Sequence, residues 1–132
     1  MKFDELDTKM RVFETAHDYC VLPGIYIVAR LDGRGFTRLT KDVHKFKAPY
    51  DERFRDYMLD TVEHLMNSGF DITYGYTQSD EISLLFSLDD ETFNRKTRKI
   101  NSVLAGEASA KFSLLLGDMG CFDCRISQLA NI

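Results

Sequence analysis

The sequence predicts an α+β domain of the ferredoxin-like type, with secondary-structure order βαββαβ and one extra helix in front. Three observations lead there. Strand-like runs rich in β-branched and aromatic residues alternate with two long stretches of helical apolar spacing. Two of the strand runs, 72–77 and 82–87, are separated only by Gln78-Ser79-Asp80-Glu81 and so read as a hairpin with a polar tip. Right-handed crossovers then place the first strand between the third and the fourth, with both long helices on one face of an antiparallel sheet.

Each element has its own justification. Phe3, Leu6, Met10 and Phe13 recur at helical spacing within 2–18, which predicts a leading helix. The run IYIVARL, 25–31, is the first strand, and Asp32-Gly33-Arg34-Gly35 stops it. A basic loop with Lys41, His44, Lys45 and Lys47 follows. Pro49 and Asp51 open the first long helix, whose apolar positions are Phe54, Tyr57, Met58, Val62, Leu65 and Met66, and Asn67-Ser68-Gly69 closes it. After the hairpin, Asp89-Asp90 can cap a second long helix over about 91–116, with the stripe Phe93, Ile100, Val103, Leu104, Ala108 and Phe112. Gly117 and Gly120 end that helix, and FDCRISQL, 122–129, alternates as the last strand.

Composition bounds the function classes. With 132 residues, 44% hydrophobic and only 2 Pro and 8 Gly, one domain is expected, large enough to fold without disulfides or a structural metal. No apolar run approaches the ~20 residues of a membrane span, and MKFDELDTKM is too acidic for a signal peptide, so the expectation is a cytoplasmic protein with no membrane partner. Three cysteines, Cys20, Cys121 and Cys124, argue against a disulfide framework. The formal net charge of −4 removes any general attraction to a phosphate backbone, so contact with nucleic acid must come from a local basic patch.

The topology carries a chemical consequence. Strands one and three are antiparallel neighbours, so Asp32 at the end of the first strand should meet Asp80 at the hairpin tip. Two carboxylates at one sheet edge repel each other and raise one pKa unless a cation sits between them. Hard oxygen donors favour Mg²⁺, and two Mg²⁺ bridged by two aspartates form the clamp used for displacement at phosphorus. Asp-Gly after a strand and Ser-Asp in a hairpin are also ordinary turn chemistry. Gly33 and Gly35 allow main-chain N–H groups to approach phosphate oxygens, and a plain turn is again the alternative.

Arg30-Leu31-Asp32-Gly33-Arg34-Gly35-Phe36, Gln78-Ser79-Asp80-Glu81-Ile82-Ser83 and Phe93-Asn94-Arg95-Lys96-Thr97-Arg98-Lys99 together resemble the tRNA-His guanylyltransferase family, above all its bacterial and archaeal Thg1-like branch. The likeness runs in order from about residue 6 to the C-terminus. It implies a polymerase-type palm that adds nucleotides in the 3′-to-5′ direction to the 5′ end of tRNA, either in tRNA-His guanylylation or in template-directed 5′-end repair. It implies two Mg²⁺ held by Asp32, Asp80 and the main-chain carbonyl of Gly33, with Glu81 as a neighbouring catalytic acid. It further implies nucleotide contacts at Arg30, Gly33, Arg34, Gly35, Phe36, Ser79, Lys96 and Lys99, and RNA contacts at Arg95 and Arg98. Similar proteins place a triphosphate-binding Lys directly before a Pro, where this sequence has Ala48 before Pro49, so Lys47 or Lys45 would substitute.

The partners so implied are tRNA, GTP, ATP and other NTPs, together with further copies of the chain, since similar proteins form tetramers. Small residues at Ala105, Gly106, Ala108, Ser109 and Ala110 would allow close helix approach to a second copy, or simply to the chain's own sheet. The clustered cations Arg95, Lys96, Arg98 and Lys99 oppose a helix N-terminal dipole unless anions lie nearby, and either phosphate or a solvated face accounts for them. His17-x-x-Cys20 and Cys121-x-x-Cys124 have zinc-like spacing, but two cysteines three apart on a strand point to opposite faces, which favours half-buried thiols. His64 reads as a structural or solvent-facing residue. Members of the family continue well past Leu129, so 1–132 is expected to be the palm-bearing N-terminal part of a longer architecture or a short form of it. The alternative function is a non-catalytic nucleotide- or RNA-binding palm module.

Overall fold

The computed structural model describes residues 2–39 and 51–132, so Lys41, His44, Lys45, Lys47, Ala48 and Pro49 of the basic loop lie outside the described residues. The elements in order are α1 (Phe3–Thr15), β1 (Tyr26–Gly33), the single turn α2 (Phe36–Arg38), α3 (Glu52–Met66), β2 (Ile72–Gln78), β3 (Glu81–Phe86), α4 (Thr97–Leu116) and β4 (Phe122–Leu129). The sheet order is β2-β3-β1-β4 with every pairing antiparallel. This is the expected ferredoxin-like arrangement, with β1 between β3 and β4.

Period-2 burial along β1 decides which face is core. Ile27, Ala29 and Leu31 are buried and meet α3 and α4 through Met58, Val62, Leu65, Ile100, Leu104, Ala108 and Phe112. The alternating partners Arg30 and Asp32 therefore fall on the other, helix-free face. Asp51 caps α3 by accepting hydrogen bonds from Arg53 N–H (2.8 Å) and Phe54 N–H (3.4 Å). Gly117, at φ +78°, ends α4 in the left-handed conformation a side chain disfavours.

Three elements differ from the sequence expectation, each for a physical reason. Helix α1 forms, but none of its residues is buried, and Phe3, Leu6, Met10 and Phe13 remain exposed. Helix α4 starts at Thr97 rather than near 91, because Phe93, Asn94 and Arg95 all adopt positive φ in a left-handed turn that a right-handed helix cannot contain. Asp89-Asp90 accordingly do not cap it. Asp90 instead accepts from Thr92 Oγ1 (2.7 Å) and Asp71 N–H (3.3 Å), tying the turn to the start of β2. The short helix α2 was not expected, and it brings Phe36 into an aromatic cluster with Phe54, Phe112 and Phe122, at ring centroid distances of 6.2, 5.1 and 5.0 Å.

Among the described residues, no helix is long and apolar enough to cross a membrane.

Candidate active site

The carboxylates meet where β1 ends. Asp32 pairs across the ladder with Glu81 of β3 on one side and with Asp123 of β4 on the other. Directly opposed residues share a face, so Glu81, Asp32 and Asp123 form one acidic row on the helix-free side. One pleat further in, Arg30 lies between Ser83 and Arg125. Asp80 sits at the two-residue hairpin tip, and its main-chain oxygen accepts the Gly33 N–H at 3.0 Å. That bond ties the tip to the end of β1 and holds Asp32 and Asp80 as neighbours. Ser79 takes φ +55° to close the tip, a left-handed conformation that costs a non-glycine residue about 1 kcal/mol or more.

Electrostatics follow from that crowding. Burial, and then the charge of Asp32, hold the Asp80 carboxyl above the usual range, only partly opposed by its own main-chain hydrogen bond. Asp32 carries a counter-ion, since Arg125 donates a short hydrogen bond from Nη1 to Asp32 Oδ2, and this raises the guanidinium pKa further. Arg30 Nη2 lies 3.8 Å from Glu81 Oε2. The acidic row is thus partly answered by an arginine row, whereas among the described residues the charge acting on Asp80 is the unfavourable one of Asp32.

This donor set suits a hard divalent cation. The two neighbouring aspartates supply carboxylate oxygens, and a raised carboxyl pKa marks a place where added positive charge is favourable. Among the described residues no three His, Cys, Asp or Glu side chains converge tightly enough to make a metal cage. A cation held there would draw its remaining ligands from main-chain oxygen, water and ligand phosphate, a pattern compatible with Mg²⁺.

The glycines beside the carboxylates are constrained differently. A Cβ at Gly33 would lie 2.5 Å from Cγ of Phe36, so this glycine permits the ring to pack beneath the strand end. Gly35, at φ +64°, begins α2 in open space. Arg34 is exposed, and its N–H is bound to the Cys121 carbonyl at 2.8 Å. The Phe36 ring, expected among the nucleotide contacts, is 3% exposed inside the aromatic cluster and belongs to the core.

The basic run lies elsewhere. Arg95 O accepts from Val21 N–H (2.9 Å), and Tyr19 O accepts from Thr97 N–H (2.9 Å), which anchors the start of α4 beside the segment leading into β1. From Ile25 to Asp32 seven residue steps at about 3.3 Å span about 23 Å. Lys96 and Lys99, expected to bind nucleotide phosphates, therefore begin α4 at the opposite end of β1 from Asp32 and Asp80.

Arg95 is a clearer correction. The sequence expectation put it on a helix facing RNA, but its side chain is buried and its guanidinium donates to the carbonyls of Val21, Leu22, Ile25, Leu88 and Asp90. It holds the left-handed turn together. The anions expected near the other cations are supplied by the chain itself. Asp18 accepts from Arg98 Nε (2.9 Å) and Nη2 (3.2 Å) and lies 3.6 Å from Lys96 Nζ, while Glu14 is 3.8 Å from Arg98. The Arg98 hydrogen bond accordingly pulls the Asp18 carboxyl below its usual range. Lys99 sits over the Phe93 ring, 5.7 Å from its centroid.

The cysteines are free thiols, and burial pushes Cys124 up to about 12, which makes it unreactive. His64 faces Glu107 across α3 and α4 at 2.8 Å. Sequence reasoning missed Asp18, Asp123 and Arg125. The signal for the last two was available, because pairing β4 antiparallel to β1 puts the alternating charges of FDCRISQL opposite Arg30 and Asp32.

Comparison with known proteins gives a consistent picture. The family model described as tRNAHis guanylyltransferase matches residues 7–130. A probable tRNA(His) guanylyltransferase of Drosophila melanogaster is 31% identical over 117 residues, covering 83% of this chain and 41% of its own length. The tRNA(His) guanylyltransferase of Schizosaccharomyces pombe is 38% identical over 82 residues, covering 62% of this chain and 31% of its own. A bacterial tRNA(His) guanylyltransferase-like protein in complex with GTP superposes with a TM-score of 0.85 at 28% identity, over 95% of this chain and 59% of that one. The chain thus spans less than half the length of these curated relatives.

Proposed function

The chain belongs to the tRNA(His) guanylyltransferase family, and from that premise we propose that it is the palm of a nucleotidyltransferase that extends the 5′ end of tRNA in the 3′-to-5′ direction. The observation that supports this reading best is the junction of Asp32 and Asp80, tied by the Gly33 N–H to Asp80 carbonyl bond. Asp32 and Asp80, with main-chain oxygen at Gly33, would hold Mg²⁺. Bound there, the metal would supply acidity to a nucleotide hydroxyl and charge neutralisation at the phosphates. The chain's own residues prepare the place: the hairpin tip positions Asp80, the glycine turn leaves room beside it, and Arg30 and Arg125 balance the neighbouring acids. GTP and ATP are the proposed nucleotides, since relatives of known structure are described in complex with each.

Labelled GTP, Mg²⁺ and a tRNA lacking its 5′ nucleotide make the test. Incorporation by the wild type that Asp80→Asn abolishes supports the reading; equal incorporation by both contradicts it.

A second reading has its own observation. Lys96 and Lys99 stand at the start of α4 beside the segment leading into β1, while the carboxylates stand at the far end of β1, so the two groups lie apart within one chain. If transfer requires both, this palm alone is a nucleotide- or RNA-binding module, and the missing cations come from another copy or from elsewhere in a longer protein. Mg²⁺-dependent GTP binding with no incorporation supports the module over the enzyme.

A further inference from the structure

We propose that Arg125 is an internal counter-ion that occupies Asp32 when metal is absent and must leave that carboxylate before a divalent cation can enter. The inference rests on the reading of Asp32 and Asp80 as the metal site. Arg125 is on β4, directly across from Arg30, and reaches diagonally to the Oδ2 of Asp32. Its Nη1 donates directly to one of the two oxygens Asp32 could offer a cation, and a guanidinium carries its charge throughout the working pH range of a folded protein.

Arg30 provides the contrast needed to argue occupancy rather than mere charge. It lies on the same face, directly opposite Arg125, with the same unit charge, but it sits on Glu81 at a looser 3.8 Å. A general field effect treats the two arginines alike. Occupancy of a ligand oxygen does not, because of the two arginines it is Arg125 that sits on Asp32. Arg125 is also half exposed, so its departure needs only a rotation of a flexible side chain into water.

The device has a functional result. An empty site without a counter-ion would hold Asp32 and Asp80 in direct repulsion, and the arginine relieves that repulsion until metal replaces it. Metal binding then requires breaking the Arg125 pair, which lowers affinity and reserves the site for conditions in which metal is supplied, for example together with a nucleotide.

The test is direct titration of the protein with Mn²⁺ alone, followed by electron paramagnetic resonance of free Mn²⁺, with melting curves of every variant to confirm folding. Arg125→Gln should bind Mn²⁺ about threefold to tenfold more tightly than the wild type, the range expected for removing a charge-assisted pair of intermediate exposure. Arg30→Gln should gain clearly less, and Asp32→Asn should lose the site. Unchanged or weaker binding by Arg125→Gln, or equal gains for the two arginine variants, overturns the inference while loss in Asp32→Asn leaves the metal site standing. Retained binding in Asp32→Asn overturns the metal site itself and the counter-ion with it.

Discussion

At the Asp32 end of β1, Asp32, Asp80, Glu81 and Asp123 gather against Arg30 and Arg125, whereas at the Tyr26 end Lys96 and Arg98 gather against Asp18 and Glu14. Both ends look like functional charge clusters, yet their local electrostatics have opposite signs. Burial and a like charge hold Asp80 above the normal carboxyl range, while Arg98 holds Asp18 below it. The first end therefore has negative charge to spare and gains from an added cation. The second is largely answered from within the chain, so a run of basic residues offers phosphate less than its composition suggests.

The largest expected effect separates a structural cation from a ligand-binding one. Arg95→Met should destabilise the protein by about 3–5 kcal/mol, because it leaves buried carbonyls of Val21, Ile25 and Asp90 without donors. Urea denaturation checks this, and a loss below about 1 kcal/mol would restore Arg95 as a surface group. At the opposite end, Gly33→Ala should cost about 1–3 kcal/mol by driving a methyl into the Phe36 ring. Combining it with Phe36→Leu should recover part of that loss, which a purely backbone requirement at Gly33 would not allow.

The pH dependence of metal-free stability distinguishes the two ends by sign. With a raised folded-state pKa, Asp80 binds its proton more tightly when folded, so its contribution falls as pH rises from about 4 through the folded value. Asp80→Asn should remove that decline and leave the protein equally or slightly more stable at pH 7. Asp18 behaves oppositely: its stabilising contribution is present above about pH 4 and is lost as pH falls through its depressed folded value. Asp18→Asn should lower stability at pH 7 and flatten the acid limb. Thermal melts between pH 3 and 7 on both variants read the two slopes, and slopes of the same sign would break the comparison.

The smallest effect on stability concerns Lys96→Ala with Lys99→Ala. Exposed cations of this kind contribute roughly 0.5 kcal/mol or less each, so the fold should be nearly unchanged. If they contact RNA phosphates in spite of Asp18, the slope of log affinity against log salt should flatten by about one to two units. An unchanged slope assigns them to packing at the α4 start.

How much of this was legible in the sequence depended on the range of the interactions. Periodicity located β1, α3, the hairpin and β4 closely, and topology alone brought Asp32 beside Asp80, because a period-2 strand and a two-residue turn leave few arrangements. The turn at 93–95 was not legible. Three consecutive non-glycine residues at positive φ contradict local preference and exist because the Arg95 side chain reaches carbonyls some seventy residues earlier in sequence. Asp18 was hidden for the same reason, its partners being distant in sequence, and Phe36 was read as a ligand contact because its motif neighbours drew it toward the site rather than the core.

The claim that the Asp32 end alone receives the metal is tested most directly by adding Mn²⁺ to ¹⁵N-labelled protein and following paramagnetic broadening of main-chain amide signals. The account predicts early loss of the Gly33, Asp80 and Glu81 signals while those of Lys96, Thr97 and Lys99 persist, and recovery of the former in Asp80→Asn. Broadening centred on α3 around Asp60 and Glu63, or spread evenly over the surface carboxylates, would contradict it.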